Sequence, residues 1–128
     1  MTIVPKTCVL VAEDEPMVAM LLEDLLDAAG YRVLIAKCLD DGLFAATSES
    51  VDVAILDVSL GRADSFPIAD ALCSRNIPFL FASGYGRESI PARFHKADVL
   101  QKPYDMNGIE LALARLISTT KLASARDL

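Results

Sequence analysis

The sequence predicts an α/β protein in which one parallel sheet is covered by helices on both faces. Three observations lead there. Apolar runs of strand length alternate with helix-like segments from end to end, as β-α repeated five times. The runs are continuous rather than alternating, as in Cys8-Val9-Leu10-Val11-Ala12, and a strand apolar on both sides is buried on both. The chain has 128 residues, one domain's worth, with no internal repeat or low-complexity stretch.

Each element follows from its residues. The first strand, Cys8–Ala12, ends in Glu13-Asp14-Glu15-Pro16, and proline suits the first turn of a helix. That helix carries Val18, Leu21, Leu22, Leu25, Leu26 and Ala29 on one face, with Glu23, Asp24 and Asp27 elsewhere. Gly30 is placed to end it. Arg32–Ala36 is a second strand, and Leu39–Ser48 a short helix weakened by Gly42. Val51–Leu56 is a third strand running into Asp57, followed by a polar loop with Gly61 and Asp64. Ile68–Cys73 forms a short helix, with Ile68 and Leu72 one turn apart, and Asn76 and Pro78 break it. Phe79–Ala82 is a fourth strand ending at Ser83-Gly84-Tyr85-Gly86. The rhythm then calls for a fourth helix, but Gly84, Gly86, Pro91 and the restricted Ile90 before that proline predict one that is short, irregular or mobile. A fifth strand within Ala97–Gln101 ends at Lys102-Pro103. Asp105 or Asn107 caps the last helix, whose buried stripe is Ile109, Ala112, Leu113, Leu116 and Ile117. Leu111, Ala114 and Leu122 lie off that stripe as a candidate interface patch, and Lys121–Leu128 reads as a short polar tail.

Composition removes several function classes. Twelve basic residues face 18 acidic ones, a net charge of −6, so the basic face of a nucleic-acid binder is not expected. A chain that is 53% hydrophobic is not disordered. Its apolar runs stop well short of the ~18 residues that cross a bilayer. Met1–Thr7 holds no signal-peptide core, so no membrane association and a cytoplasmic location are the expectations. Cys8, Cys38 and Cys73 have no metal-type spacing and read as buried small hydrophobes. His95, the only histidine, reads as a surface residue.

Ligands of open α/β sheets bind beyond the carboxyl ends of the strands. There the sequence places Glu13 and Asp14 after the first strand, Asp57 after the third, Ser83 after the fourth and Lys102 after the fifth. Three carboxylates brought together repel, and a hard divalent cation relieves them. Mg²⁺ takes one or two carboxylates directly, keeps waters and bridges to phosphate oxygens. An aspartate can act as nucleophile and form an acyl phosphate. Phosphoryl transfer needs mainly positioning and charge neutralisation, which Mg²⁺, a lysine and a hydroxyl supply. Singly, Asp14 is a helix cap, Ser83 a turn residue and Lys102 a surface charge. It is the set, each member at the end of its own strand, that points to phosphoryl chemistry.

Through Val9-Leu10-Val11-Ala12-Glu13-Asp14-Glu15-Pro16, Ala54-Ile55-Leu56-Asp57-Val58, Ser83-Gly84 and Lys102-Pro103-Tyr104, the chain from about Thr7 to Thr119 resembles the receiver domain of two-component response regulators. The resemblance implies a doubly wound, flavodoxin-like (βα)5 fold with strand order 2-1-3-4-5. It implies that Asp57 accepts a phosphoryl group from a phosphohistidine on a sensor histidine kinase or a histidine phosphotransfer protein. By the same resemblance, Mg²⁺ is held by Glu13, Asp14, Asp57 and the backbone carbonyl of Ser59. Ser83 hydrogen-bonds the phosphoryl group, Lys102 pairs with its oxygens, and the Lys102–Pro103 bond is cis.

Pro78-Phe79-Leu80-Phe81-Ala82-Ser83-Gly84-Tyr85-Gly86 resembles the FAT GUY subfamily of receivers, found largely in alphaproteobacteria, with Ser83 in place of its usual threonine. Members of that group tend to have an atypical fourth helix. Many receivers carry a switching aromatic three residues before the lysine, a position held here by Val99, with Tyr85 and Tyr104 as candidate replacements. The expectation is therefore one receiver over residues 1–128, with a core of about 7–119 and no output domain. It would catalyse only its own phosphorylation and dephosphorylation, and signal by protein contact or onward transfer. Two readings of other classes stand beside it. An aspartyl-phosphate phosphohydrolase of the haloacid dehalogenase type would need a second aspartate where Ser59 stands. A phosphorylation-independent docking module, a pseudo-receiver, usually lacks pocket residues that this chain keeps.

Overall fold

A computed structural model of the chain describes residues 6–84, 86–102 and 105–126. Five parallel strands form the central sheet: β1 (Cys8–Ala12), β2 (Arg32–Ala36), β3 (Val53–Asp57), β6 (Phe79–Ser83) and β7 (Asp98–Gln101). Their spatial order is β2-β1-β3-β6-β7, which is 2-1-3-4-5 when only these five are counted. Two further strands, β4 (Ser59–Leu60) and β5 (Ala63–Asp64), pair antiparallel as a separate ribbon. The helices are α1 (Pro16–Ala28), α2 (Leu39–Ser48), α3 (Phe66–Ser74) and α4 (Met106–Arg126).

Strand alternation divides the core in two. Leu10, Ala12, Ala54, Leu56, Phe79 and Phe81 pack with Ala46 of α2 and with Ile68 and Leu72 of α3. Val9, Val11, Val53, Ile55 and Leu80 pack with Leu22 and Leu26 of α1 and with Ile109 and Leu113 of α4. Both faces are covered, as continuous apolar strands require. Gly30 takes φ +97° just past α1, and the Asp105 carboxylate accepts the Gly108 N–H at 2.8 Å, so Asp105 rather than Asn107 caps α4.

The segment between β6 and β7 contains no α-helix among its described residues, only the 3-10 turns Gly86–Ser89 and Ala92–Phe94. It is nonetheless anchored. Phe94 is 4% exposed and meets Phe81 at 5.5 Å, Phe79 at 6.0 Å and Phe66 at 6.0 Å between ring centroids. Arg93 pairs with Asp70 at 3.1 Å and stands over the Phe94 ring. His95 is exposed, as expected.

Several expectations are corrected. Cys8 is buried, but Cys38 and Cys73 are exposed. Cys38 sits in extended backbone ahead of α2, and Cys73 lies one position past the buried stripe Ile68, Ala69 and Leu72. The buried face of α1 is Ala19, Leu22 and Leu26, while Leu21 is 58% exposed and Ala29 is exposed. Val51 and Asp52 precede β3, where the Asp52 carboxylate accepts the Cys8 N–H at 2.7 Å and the Asp52 N–H donates to Cys8 O at 2.9 Å. The loop after Asp57 is the β4–β5 ribbon, with Gly61 at φ +63° in its turn. Helix α3 begins two residues early, at Phe66-Pro67, with the Asp64 carboxylate accepting the Phe66 N–H. The last helix runs through Arg126 into the segment read as a tail, since no glycine or proline interrupts residues 119–126. Leu111 and Ala114 are exposed. The Leu122 side chain, Tyr85, Pro103 and Tyr104 lie outside what is described. No helix among the described residues is long and apolar enough to cross a membrane.

Gly42 has a packing role. A Cβ there would meet the Ile68 side chain, which is fully buried in the α2–α3 contact. Glycine to alanine within a helix ordinarily gains about 0.8–1.0 kcal/mol. Here overpacking costs about 1–3 kcal/mol. Gly42→Ala is therefore expected to lower the thermal midpoint, and a raised midpoint would show that α2 and α3 are not this closely packed.

Candidate functional site

The predicted residues meet at the carboxyl edge of the sheet, and ladder hydrogen bonds carried one step past the strands hold them there. Glu13 N–H donates to Ala36 O at 2.9 Å, Val58 N–H to Ala82 O at 3.1 Å and Lys102 N–H to Ser83 O at 2.8 Å. The backbone at or beside these side chains is thus tied to a neighbouring strand. Asp57 and Ser83 are the last residues of β3 and β6 rather than the first beyond them.

These side chains line a cleft of about 730 Å³, together with Glu15, Val18, Leu21, Ser59, Gly61 and Ser89. Glu13 and Ser83 are each 2% exposed. Carboxylate oxygens of Glu13, Asp14 and Asp57 lie within 4.8 Å of one another. The Lys102 ammonium donates to Asp57 Oδ2 at 2.9 Å and stands 4.0 Å from Glu13 Oε2. Asp14 Oδ2 accepts the Gly61 N–H at 2.9 Å, which ties the β4–β5 turn to the acidic cluster. Ser83 Oγ lies 3.2 Å from Ser89 Oγ.

The electrostatics are strained in one direction. Burial pushes the Glu13 carboxyl up to about 8. Its hydrogen bond with Asp57 and the Asp57 charge add to this, Lys102 pulls the other way, and Asp14 adds a smaller push. Four acids and one base line the described cleft. Such a donor set, all oxygen and in excess negative charge, suits a hard divalent cation.

Leu21 and Ser89 are among the cleft residues that were not foreseen. Leu21 was assigned to the core, and α1 instead turns it to the cleft. Ser89 carries no signal in the sequence, because its approach to Ser83 depends on the shape of the irregular segment.

Residues 9–114 match the family model described as the response regulator receiver domain. SdrG from Sphingomonas melonis Fr1 is 41% identical, with 88% of this chain and 97% of that chain covered at a TM-score of 0.75. The BeF3-activated conformation of SdrG from Pseudomonas melonis Fr1 is also 41% identical, with 86% of this chain and 95% of that chain covered at a TM-score of 0.71. The transcriptional regulatory protein PdtaR of Mycobacterium tuberculosis is 28% identical over 124 residues, which are 89% of this chain and 60% of PdtaR. The chain spans about half to three-fifths of the length of the curated relatives PdtaR, TtrR and IrlR.

Proposed function

The chain belongs to the response regulator receiver domain family, and on that premise we propose that Asp57 is its phosphoacceptor. The donor is a phosphohistidine on a sensor histidine kinase or a histidine phosphotransfer protein. A carboxylate oxygen of Asp57 attacks phosphorus, the P–O bond forms as the P–N bond breaks, and the departing imidazole takes up a proton. The observation that carries this reading is Asp57 at the end of β3, held by Lys102 at 2.9 Å beside two further carboxylates.

The other residues serve the charge that develops. Lys102 holds the Asp57 carboxylate before transfer and pairs with phosphoryl oxygens after it. Ser83 donates its hydroxyl to the phosphoryl group. Glu13, Asp14, Asp57 and the Ser59 carbonyl would hold Mg²⁺, which when bound neutralises charge on the phosphoryl oxygens. Gly61 fixes the Asp14 carboxylate for that task. The signal then leaves by protein contact or onward transfer. The narrower resemblance to the FAT GUY group is supported by the two 3-10 turns that stand where a fourth helix was due.

The test is to incubate the protein with a small acyl phosphate and Mg²⁺ and to map the label. Hydroxylamine-labile label on Asp57, lost with chelator, is the expected result. Turnover of a phosphomonoester, or no label at all, would overturn it.

Metal binding carries a pH signature. In the metal-free protein the Glu13 pKa is raised from 4.5 to about 8. For an acid shifted upward, the folded state holds a proton that the unfolded chain has released. The stability contribution is whole below pH 4.5 and is lost as pH rises through about 8. A bound dication opposes that loss. The rise in thermal midpoint on adding Mg²⁺ is therefore expected to be larger above pH 8 than near pH 6, in line with proton release on binding. A Mg²⁺ effect independent of pH would exclude Glu13 from the metal site.

A further inference from the structure

The Ser83 hydroxyl is engaged with the irregular segment. Ser89, its partner at 3.2 Å, closes the 3-10 turn Gly86–Ser89 and lines the same cleft as Asp57 and Lys102. That turn is tied onward by Arg87, which donates to His95 O at 3.0 Å and Ala97 O at 2.9 Å. Ala97 immediately precedes β7, and Lys102 just beyond β7 donates its N–H back to Ser83 O. The contacts close a ring: Ser83, Ser89, Arg87, Ala97, β7, Lys102 and Ser83 again.

From this ring we infer that Ser89 is a positioning residue that couples the Ser83 hydroxyl to the 86–89 turn, and through Arg87 to the approach of β7. The inference rests on the phosphoacceptor reading of Asp57. A hydroxyl has one proton to donate. If Ser83 now donates to Ser89, it loses that bond when it donates to a phosphoryl group on Asp57. If Ser89 is the donor, its turn follows the Ser83 rotamer. In both cases the 86–89 turn responds to what Ser83 does. The strand position expected to carry a switching aromatic holds Val99, which has no polar group to follow Ser83, and its cross-strand neighbour is Phe81. The Ser89 route needs no such residue. Phe94 and the Arg93–Asp70 pair anchor the second 3-10 turn, so a change in the first turn and the Arg87 contacts is read along Arg87–Ala97 against a fixed base.

The experiment is amide NMR with beryllofluoride and Mg²⁺ as the phosphoryl mimic, an additive that the BeF3-activated SdrG structure shows to suit a relative. In wild type, shifts are expected at Val58 and Lys102 beside the site and at Arg87–Ala97. In Ser89→Ala the response at Val58 and Lys102 remains and that at Arg87–Ala97 is lost. Amide exchange across the segment also quickens about 2- to 10-fold, as loss of one hydrogen bond predicts. Ser89→Thr restores both, which a purely steric role would not. Ser83→Ala also removes the segment response, and adding Ser89→Ala to it changes nothing more. Ser89→Cys serves if the alanine variant does not fold. A full wild-type response at Arg87–Ala97 in Ser89→Ala or Ser89→Cys overturns the inference, as does a wild type that responds only at the site. Silence of Val58 and Lys102 in wild type marks failure of the phosphoacceptor reading itself, and the inference falls with it.

Discussion

Asp57→Asn is expected to take up no phosphoryl group. An amide oxygen is a poor nucleophile and leaves no anionic acceptor, so labelling from a small acyl phosphate should fall by a factor on the order of 10⁴ or more. The substitution is nearly isosteric, and the backbone of β3 is held by its ladders to β1 and β6, so the fold should persist. A second consequence follows from the electrostatics. Asp57 contributes through its hydrogen bond and its charge to the raised pKa of Glu13. With Asp57 neutral, that pKa should drop from about 8, and the stability lost as pH rises from 4.5 toward 8 without added metal should shrink. Equal hydroxylamine-labile label in wild type and Asp57→Asn would end the phosphoacceptor reading.

Phe94→Ala is expected to cost about 3–5 kcal/mol of unfolding free energy, measured by urea denaturation. Phe94 is 4% exposed and closes a cluster with Phe66, Phe79 and Phe81 at 5.5–6.0 Å between centroids. Its loss leaves a cavity under the segment that carries Ser89 and Arg87. The urea midpoint should fall at an unchanged slope, which would mark lost stability rather than an altered unfolded state. A variant within about 1 kcal/mol of wild type would mean that the segment is not anchored by this ring.

Much of the fold was legible because its signals are local. Continuous apolar runs announce buried parallel strands, Gly30 a left-handed helix end and Asp105 or Asn107 a cap, and each is read from a few adjacent residues. The site was legible for a topological reason. Parallel strands all end on one edge, so Glu13, Asp14, Asp57, Ser83 and Lys102 could be grouped without any knowledge of distance. Leu21 shows where this fails. Its spacing fits the apolar stripe of α1, but the rotation of that helix on the sheet is set by the packing of Leu22 and Leu26, and Leu21 is left facing the cleft. Cys38 and Cys73 fail for a similar reason, since a small side chain carries too little apolar surface to dictate its own burial.

The sequence by itself determined the order of strands and helices, the parallel sheet covered on both faces and the acids gathered at its edge. These follow from local periodicity and from the one-edge rule for parallel strands. Only the tertiary structure decided how far the residues of that edge engage one another. The 2.9 Å contact of Lys102 with Asp57, the burial that lifts Glu13 and the Gly61 N–H on Asp14 are distances between segments far apart in the chain. Packing likewise decided the fate of the glycine- and proline-broken segment. Its residues foretold an irregular path, and Phe94, by filling the space over Phe81, fixed that path so that Ser89 meets Ser83.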